Sequence, residues 1–344
     1  YRCTPEILEA AGRLIRRNQK RFPKDLKAFQ KSGAPVRLLR FQDSREELKY
    51  VAEDIRRSLD RGCPPEETAV LFRTNTGCRR AAEQLMAYQI PFVMQELVPC
   101  LFDHWIARHI SAYLRLAQGS RRRSDFLLIA NKPNRYLSRE AFQSGEVSFE
   151  DLYRFYEDRS WMEERIEKLE EDLLALRNMA PFGAVQYIRK IIGYEEYLKQ
   201  CAASRHMPEE ELFQILEELT DSARGFDTVR QWFDHMEEYR EKLKNRPRGR
   251  DENIRGVAVS TLHSSKGMEY DRVYILDICE GVIPWHKAVL PADLEEERRM
   301  LYVGMTRARK ELFLGYAKQQ LGKTAAPSRF LKEIFPEQKE SLGG

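Results

Sequence analysis

The sequence has no paired cysteines, no membrane-length apolar run and no large excess of either charge. Its six cysteines (Cys3, Cys63, Cys78, Cys100, Cys201 and Cys279) are scattered without a C-x-x-C pair. That excludes a zinc ribbon and points to a reducing, cytoplasmic compartment. No stretch approaches the ~18 apolar residues of a membrane span, and no charged segment followed by an apolar one opens the chain as a secretory signal would. Lysine and arginine number 58 against 54 acidic residues, a net charge of +4, so the chain is no histone-like polycation. Charge of both signs is what it has in quantity: 33% of its 344 residues are charged and 42% are apolar. Such a composition predicts a soluble protein with an ionic surface, long enough for about two or three domains. The chain opens on Tyr1 rather than Met, so we expect it to be a piece of something longer.

Strand-like and helix-like patterns alternate over residues 1–117. Residues 36–41 read as a strand, and Ser44-Arg45-Glu46-Glu47 reads as a capping box. Leu48, Val51, Ile55 and Leu59 follow at helical spacing. Strands are predicted at 68–72 and 91–94, with helices over 77–88 and 103–117. This alternation argues for a parallel sheet covered on both faces. Beyond Arg121-Arg122-Arg123 the pattern becomes almost wholly helical. Ile166, Leu169, Leu173 and Leu176 form one stripe, and Phe226, Val229, Trp232, Phe233 and Met236 another. The first covers under two heptads and predicts a bundle helix rather than a coiled coil. A polar tract at 245–252 reads as a linker. Strands return at 257–262, 272–276 and 311–316, with a helix over 293–308. The simplest arrangement is one discontinuous α/β domain (1–117 and 255–335), split by an all-α insertion (118–254) and closed by a tail (336–344).

Two segments carry chemistry. In Ser260-Thr261-Leu262-His263-Ser264-Ser265-Lys266-Gly267-Met268-Glu269 a strand ends in hydroxyls, an imidazole, a lysine and a glycine, then an acid. Such a turn suits phosphate, and strand-end loops of open α/β sheets are where ligands bind; an ordinary polar loop has the same composition. In the run 295–309 acids precede bases along a helix, as the helix dipole favours. Arg307 lies beyond Gly304, where a guanidinium reaches across an interface; a salt-bridged surface helix, pairing Arg307 with Glu296 or Glu297, is the alternative. A phosphate cradle needs G-x-x-x-x-G-K-[ST]. Gly322-Lys323-Thr324 is a decoy, because Ala317 stands where the first glycine belongs. Val273-Tyr274-Ile275-Leu276-Asp277 imitates a metal-binding strand without a phosphate loop to serve. His104 and His109 are five apart, not the i, i+4 of a zinc helix, and no metal site is expected.

In order along the chain, four segments resemble the C-terminal half of UvrD/Rep-type superfamily 1 DNA helicases. Tyr1-Arg2-Cys3-Thr4 resembles the family's Asn-Tyr-Arg-Ser-Thr segment, cut after the Asn. Ala69-Val70-Leu71-Phe72-Arg73-Thr74-Asn75 resembles its Arg-Thr-Asn strand end. The segments 261–270 and 297–308 resemble its motifs V and VI, and Pro327-Ser328-Arg329-Phe330-Leu331 its closing helix. The resemblance implies a RecA-like domain (2A) interrupted by a helical subdomain (2B). It further implies that Tyr1 stacks on the adenine of ATP, that Arg2 and Arg307 reach the γ-phosphate as catalytic cations, and that Glu269 touches the nucleotide sugar. Arg73, Asn75, Thr261 and His263 would lie along single-stranded DNA. The phosphate loop and Mg²⁺ ligands would belong to an upstream RecA-like domain, leaving this chain inactive alone.

The function so implied is the motor half of an ATP-dependent 3′→5′ DNA helicase or translocase, acting in DNA repair or replication restart. Its partners would be single-stranded or partly duplex DNA and the upstream domain, with no membrane. The alternatives are a non-hydrolysing DNA- or partner-binding module and part of an AddA/RecB-type helicase–nuclease. One departure stands out: where the family has a Pro-Lys-Arg-Gly-Ile-Gly hairpin that grips duplex, Lys132-Pro133-Asn134-Arg135-Tyr136-Leu137-Ser138 has no glycine. A tight turn presenting its N–H groups is then harder to form.

Overall fold

A computed structural model of the chain describes residues 2–19, 28, 30–95, 99–244 and 255–338. It divides into two compact units, Tyr1–Val98 with Pro247–Gly344, and Pro99–Arg246.

The first unit is built on a sheet of β1 (Arg37–Asp43), β2 (Thr68–Phe72), β3 (Phe92–Met94), β4 (Val257–Thr261), β5 (Tyr270–Ile275), β6 (Ala308–Gln320) and β7 (Lys323–Thr324). The order is β1-β6-β5-β2-β4-β3, with β7 beside β6. All pairings are parallel except β6–β7. Every residue of β2 and of β4 is buried, as expected for central strands covered on both faces. Side chains alternate between two cores. On one face Leu71, Val273, Ile275 and Leu314 pack with helix α1 (Pro5–Ile15) through Ile7, Ala11 and Leu14. On the other, Val70, Phe72, Tyr274 and Phe313 pack with α2 (Ser44–Asp60) and α3 (Asn75–Ala87) through Val51, Ile55, Ala82 and Leu85. Each fully buried Val, Leu, Ile or Phe side chain among them contributes roughly 1.5–3 kcal/mol of transfer free energy.

The second unit comprises α4 (Trp105–Ala117), α5 (Arg123–Ile129), α6 (Phe149–Phe155), α7 (Ser160–Leu176), α8 (Pro181–Lys190), α9 (Tyr194–Arg205), α10 (Glu209–Ser222) and α11 (Val229–Lys244). The predicted stripe of α7 is buried as read: Ile166, Leu169 and Leu176 are fully enclosed. The sheet unit resumes with α12 (Pro291–Met305) and α13 (Arg329–Ile334), and Leu301, Met305, Phe330 and Leu331 join the first core.

Two sequence readings change. The division falls between Val98 and Pro99 rather than at 117, because α4 belongs to the helical unit. Ile106, Ile110, Tyr113 and Leu114 are completely buried, and α4 packs on α5, α7 and α10. A helix apolar on so much of its surface needs neighbours on several sides, which the helical unit supplies. The start of α2 also shifts by one. Asp43, not Ser44, is the cap: its Oδ1 accepts from the N–H of Arg45 and of Glu46, each at 2.9 Å, while Glu46 Oε2 accepts from Gln42 N at 2.8 Å. That resembles a capping box built on Asp43, except that Glu46 accepts from the residue before the cap. It leaves Glu47 inside the helix and buried. The linker read at 245–252 lies outside the described residues.

Candidate functional site

Parallel strands give the sheet two distinct edges, and the sequence-derived site residues separate between them. At the C-terminal edge, neighbouring β2 and β4 end together, with Phe72 opposite Thr261. Leu262 N donates to Phe72 O at 2.7 Å and locks the two exits. Arg73, Asn75, Thr261 and His263 therefore share one edge. Asn75, the first residue of α3, and His263 are exposed. Thr261 is buried and shapes the turn, its Oγ1 accepting from Ser264 N at 3.3 Å and lying 3.2 Å from Ser264 Oγ. Arg73 is held rather than free. Its Nη2 donates to Glu297 Oε1 at 3.0 Å, its Nε lies 3.3 Å from both carboxylate oxygens, and its guanidinium sits 5.6 Å from the Trp285 ring centroid. Glu297 Oε2 also accepts from Trp285 N at 3.0 Å. One buried carboxylate thus ties α12, the β2 exit and the loop before α12 together.

The connection 262–269 runs from the exit of β4 to the entry of β5 at the opposite edge. Gly267 takes a φ of +89° on the way, a conformation that suits glycine. Gly304 of α12 lies so close beneath the connection that a Cβ there would overlap Leu262. At the N-terminal edge Tyr270 N donates to Arg307 O at 2.9 Å, joining the entries of β5 and β6. The Arg307 guanidinium is fixed by Val303 O (2.9 Å from Nε), Met268 O (2.9 Å from Nη1) and Thr306 Oγ1 (3.2 Å from Nη2). Among the described residues no carboxylate pairs with it; Glu296 is taken by Arg299 at 2.8 Å and Glu297 by Arg73. Arg2 Nη1 lies 3.3 Å from Glu269 Oε2, and its side chain is 78% exposed. Arg2, Glu269 and Arg307 are thus gathered around the start of β5. Cys3 sits beside them, its thiol pushed up by burial. Burial also pushes the Tyr270 phenol up to about 12, with the charge of Arg307 opposing. Tyr1 lies outside the described residues.

The sequence pattern misses Glu297 and Trp285 as partners of Arg73, and it misses a buried group of Glu47, Arg80 and Asp277. An acid in mid-helix or at a strand end is too common to single these out. Asp277, the end of the metal-strand imitation, has Arg80 at 3.8 Å and Gln320 at 2.9 Å. Among the described residues no group of three or more His, Cys, Asp or Glu is placed to hold a metal. Gly322-Lys323-Thr324 forms a hairpin back along β6, with Gly322 at φ +79°.

In the helical unit His104 caps α4, its Nδ1 accepting from Ile106 N at 3.3 Å. His109 Nδ1 lies 2.8 Å from Tyr194 Oη, and burial, then Lys132, Arg205 and His104, bring its pKa down to about 3. The glycine-free turn forms nonetheless, with Tyr136 at φ +58°. Asn131 Oδ1 accepts from Arg135 N (3.1 Å) and Leu137 N (2.9 Å), Asn134 Oδ1 from Tyr136 N (3.0 Å), and Tyr156 Oη from Ser138 N (2.6 Å). Four successive N–H groups are therefore consumed internally.

The geometry defines a parallel α/β domain of the doubly covered class, with polar residues at both strand edges and a helical unit inserted in its sequence. A family model described as the UvrD-like helicase C-terminal domain matches residues 1–319, and the chain belongs to that family. It is 31% identical to YjcD of Bacillus subtilis (strain 168), a protein named as a candidate ATP-dependent DNA helicase, over 99% of this chain and 46% of that protein. It is 29% identical to DNA helicase II of Haemophilus influenzae, over 97% of this chain and 49% of the relative. To the ATP-dependent DNA helicase PcrA of Leuconostoc citreum it is 28% identical, over 99% and 49%. The chain spans about half the length of these curated relatives. No helix among the described residues is long and apolar enough to cross a membrane.

Proposed function

We propose that this chain is the second motor domain (2A, with a 2B-type insertion) of an ATP-dependent 3′→5′ DNA helicase or translocase, working in the cytoplasm in DNA repair or replication restart. The observation that carries the reading is the N-terminal edge: Arg307 is aimed by carbonyls and a hydroxyl and, among the described residues, left without a neutralising carboxylate, beside exposed Arg2. A fixed guanidinium with uncompensated charge suits the spread negative charge of a transferring phosphoryl group. Arg307 then acts as the arginine finger and Arg2 as a second cation, while Glu269 orients Arg2 and meets the nucleotide sugar. Tyr1 would stack on the adenine. ATP supplies the phosphoryl group. By the family resemblance, Mg²⁺ and the phosphate loop belong to an upstream RecA-like domain.

At the C-terminal edge, exposed Asn75 and His263 contact single-stranded DNA directly. Arg73, tied to Glu297, sets the shape of that edge and offers its remaining donors. The inserted unit has no free N–H turn at 135–138, so it does not grip duplex by that device. A non-hydrolysing module would have no use for an unpaired Arg307, and this disfavours that alternative.

Binding of a fluorescent oligonucleotide by the chain, measured against salt, tests the DNA half of the reading. We expect weak affinity, little sequence preference and a shallow log–log salt slope of about −0.7 per phosphate contacted. No binding at low salt, or affinity independent of salt, would overturn it.

A further inference from the structure

One buried cluster of the sheet unit takes no part in either edge. Glu47, in the first turn of α2, is completely buried and lies on β6, its Oε1 2.5 Å from where a Cβ on Gly315 would sit. Neither carboxyl oxygen has a donor at bonding geometry. What faces them is Asp277, just past β5, which holds a φ of +58°. The Asp277 carboxylate already has its own partners: Oδ1 accepts from Gln320 Nε2 at 2.9 Å, and Oδ2 lies 3.8 Å from Arg80 Nη1. Arg80 belongs to α3, and its Nη2 is buried without a partner.

Two buried carboxyl groups face one guanidinium, whose side chain keeps 14% of its surface exposed. With both acids ionised the cluster carries a buried net negative charge and an acceptor-only contact between like charges, which is costly. One proton between them leaves a single carboxylate against a single guanidinium. Asp277 has the Gln320 amide and Arg80 to stabilise its charge, whereas Glu47 has only the Asp277 backbone N–H nearby, short of bonding geometry, and no side-chain donor. The proton therefore belongs on Glu47, and a protonated carboxyl donates to Asp277.

We propose that Glu47 is a protonated donor holding Asp277 in place for Arg80, and that this strap positions α3, the helix that presents Asn75 at the nucleic-acid edge. Burial first, and then the Asp277 charge, push the Glu47 carboxyl well above the usual carboxylate range, with Arg80 opposing. The titratable and charged groups facing it are Asp277 and Cys279 beyond β5 and Arg80 on α3; β6 presents Gly315 and the Gln320 amide. Cys279 is pushed up to about 12, chiefly by burial, and stays neutral. Glu47 is a positioning residue, and its role in binding rests on the nucleic-acid reading above.

A carboxyl whose pKa is raised in the folded state stabilises the fold fully below its unfolded value of 4.5. That contribution is lost as pH rises through the folded value. Glu47→Gln keeps an N–H donor to Asp277 and cannot ionise; Glu47→Ala removes the donor. Melting of the chain and its variants, together with binding of a fluorescein-labelled oligothymidylate, is followed between about pH 5 and pH 9. The wild-type melting temperature and affinity should fall together as pH rises. Neither loss should occur in Glu47→Gln, whose melting keeps only the acid-side change set by His109, while Glu47→Ala melts lower throughout and binds about tenfold more weakly at pH 7. If Glu47→Gln is as unstable as Glu47→Ala at pH 7, Glu47 is an ionised partner of Arg80 and the proposal is overturned. If the melting pattern holds but all three bind alike, the positioning role falls. Failure of the wild type to bind at any pH refutes the nucleic-acid reading and the positioning role with it, and the melting comparison still decides the protonation.

Discussion

Arg73 sits where its strand-end pattern puts it, yet its guanidinium is committed to an acid 224 residues away in sequence. Local pattern marks the end of an apolar strand, because burial on both faces demands an apolar run. It carries no information about which distant helix lies across that end, so Glu297 is legible only as a helix acid. Arg307 shows the opposite case. Its partners are Val303, Thr306 and Met268, the first two within one helical turn. The Arg73–Glu297 pair leaves 23% of the arginine side chain and 9% of the glutamate exposed, so water screens it little. Glu297→Gln should leave Arg73 under-compensated and lower the stability of the chain by about 2–3 kcal/mol in urea unfolding. An unchanged unfolding midpoint would mean that Arg73 is free to meet a ligand on its own.

Among the elements, the central strands are legible because a short apolar run between turn residues suits a strand buried on both faces, and α7 because its stripe has a clear period. The start of α2 is not, since Asp43 and Ser44 are both good caps, and only the bonds from Arg45 N and Glu46 N to Asp43 distinguish them. The pattern along α4 puts it in the wrong unit, because its apolar surface says that it is buried, not against what. His109 of α4 gives the helical unit an acid sensitivity of its own. Its pKa falls from 6.5 to about 3 through burial, so the native state holds it neutral. A group so depressed costs stability as pH drops from 6.5 toward 3, where the unfolded chain takes up the proton first. His109→Phe keeps an aromatic ring but loses the contact to Tyr194 Oη. It should be less stable at neutral pH and lose less stability between about pH 6.5 and pH 4. Equal acid slopes for variant and wild type, read from melting curves, would contradict the buried neutral imidazole.

For the whole molecule, an interrupted α/β domain is legible from the change of pattern along the chain, and the family from four ordered segments. The two-edge division of the site is not: residues from one continuous segment, 261–270, end at opposite edges of the sheet because the connection crosses from the exit of β4 to the entry of β5. That crossing means that the edge carrying Arg307 can be altered without touching the other. In the full-length protein, Arg307→Ala should lower kcat for ATP hydrolysis on the order of 10³–10⁵-fold. Arg307→Lys should recover little, because an ammonium cannot reproduce the planar fork. ATP binding, DNA binding without nucleotide and the melting temperature should stay close to wild type. Steady-state ATPase and a melting curve on the same Arg307→Ala preparation decide it. Turnover near wild type with a lowered melting temperature would show that the Arg307 side chain serves only to hold Val303 and Met268 in place, and would contradict the motor reading.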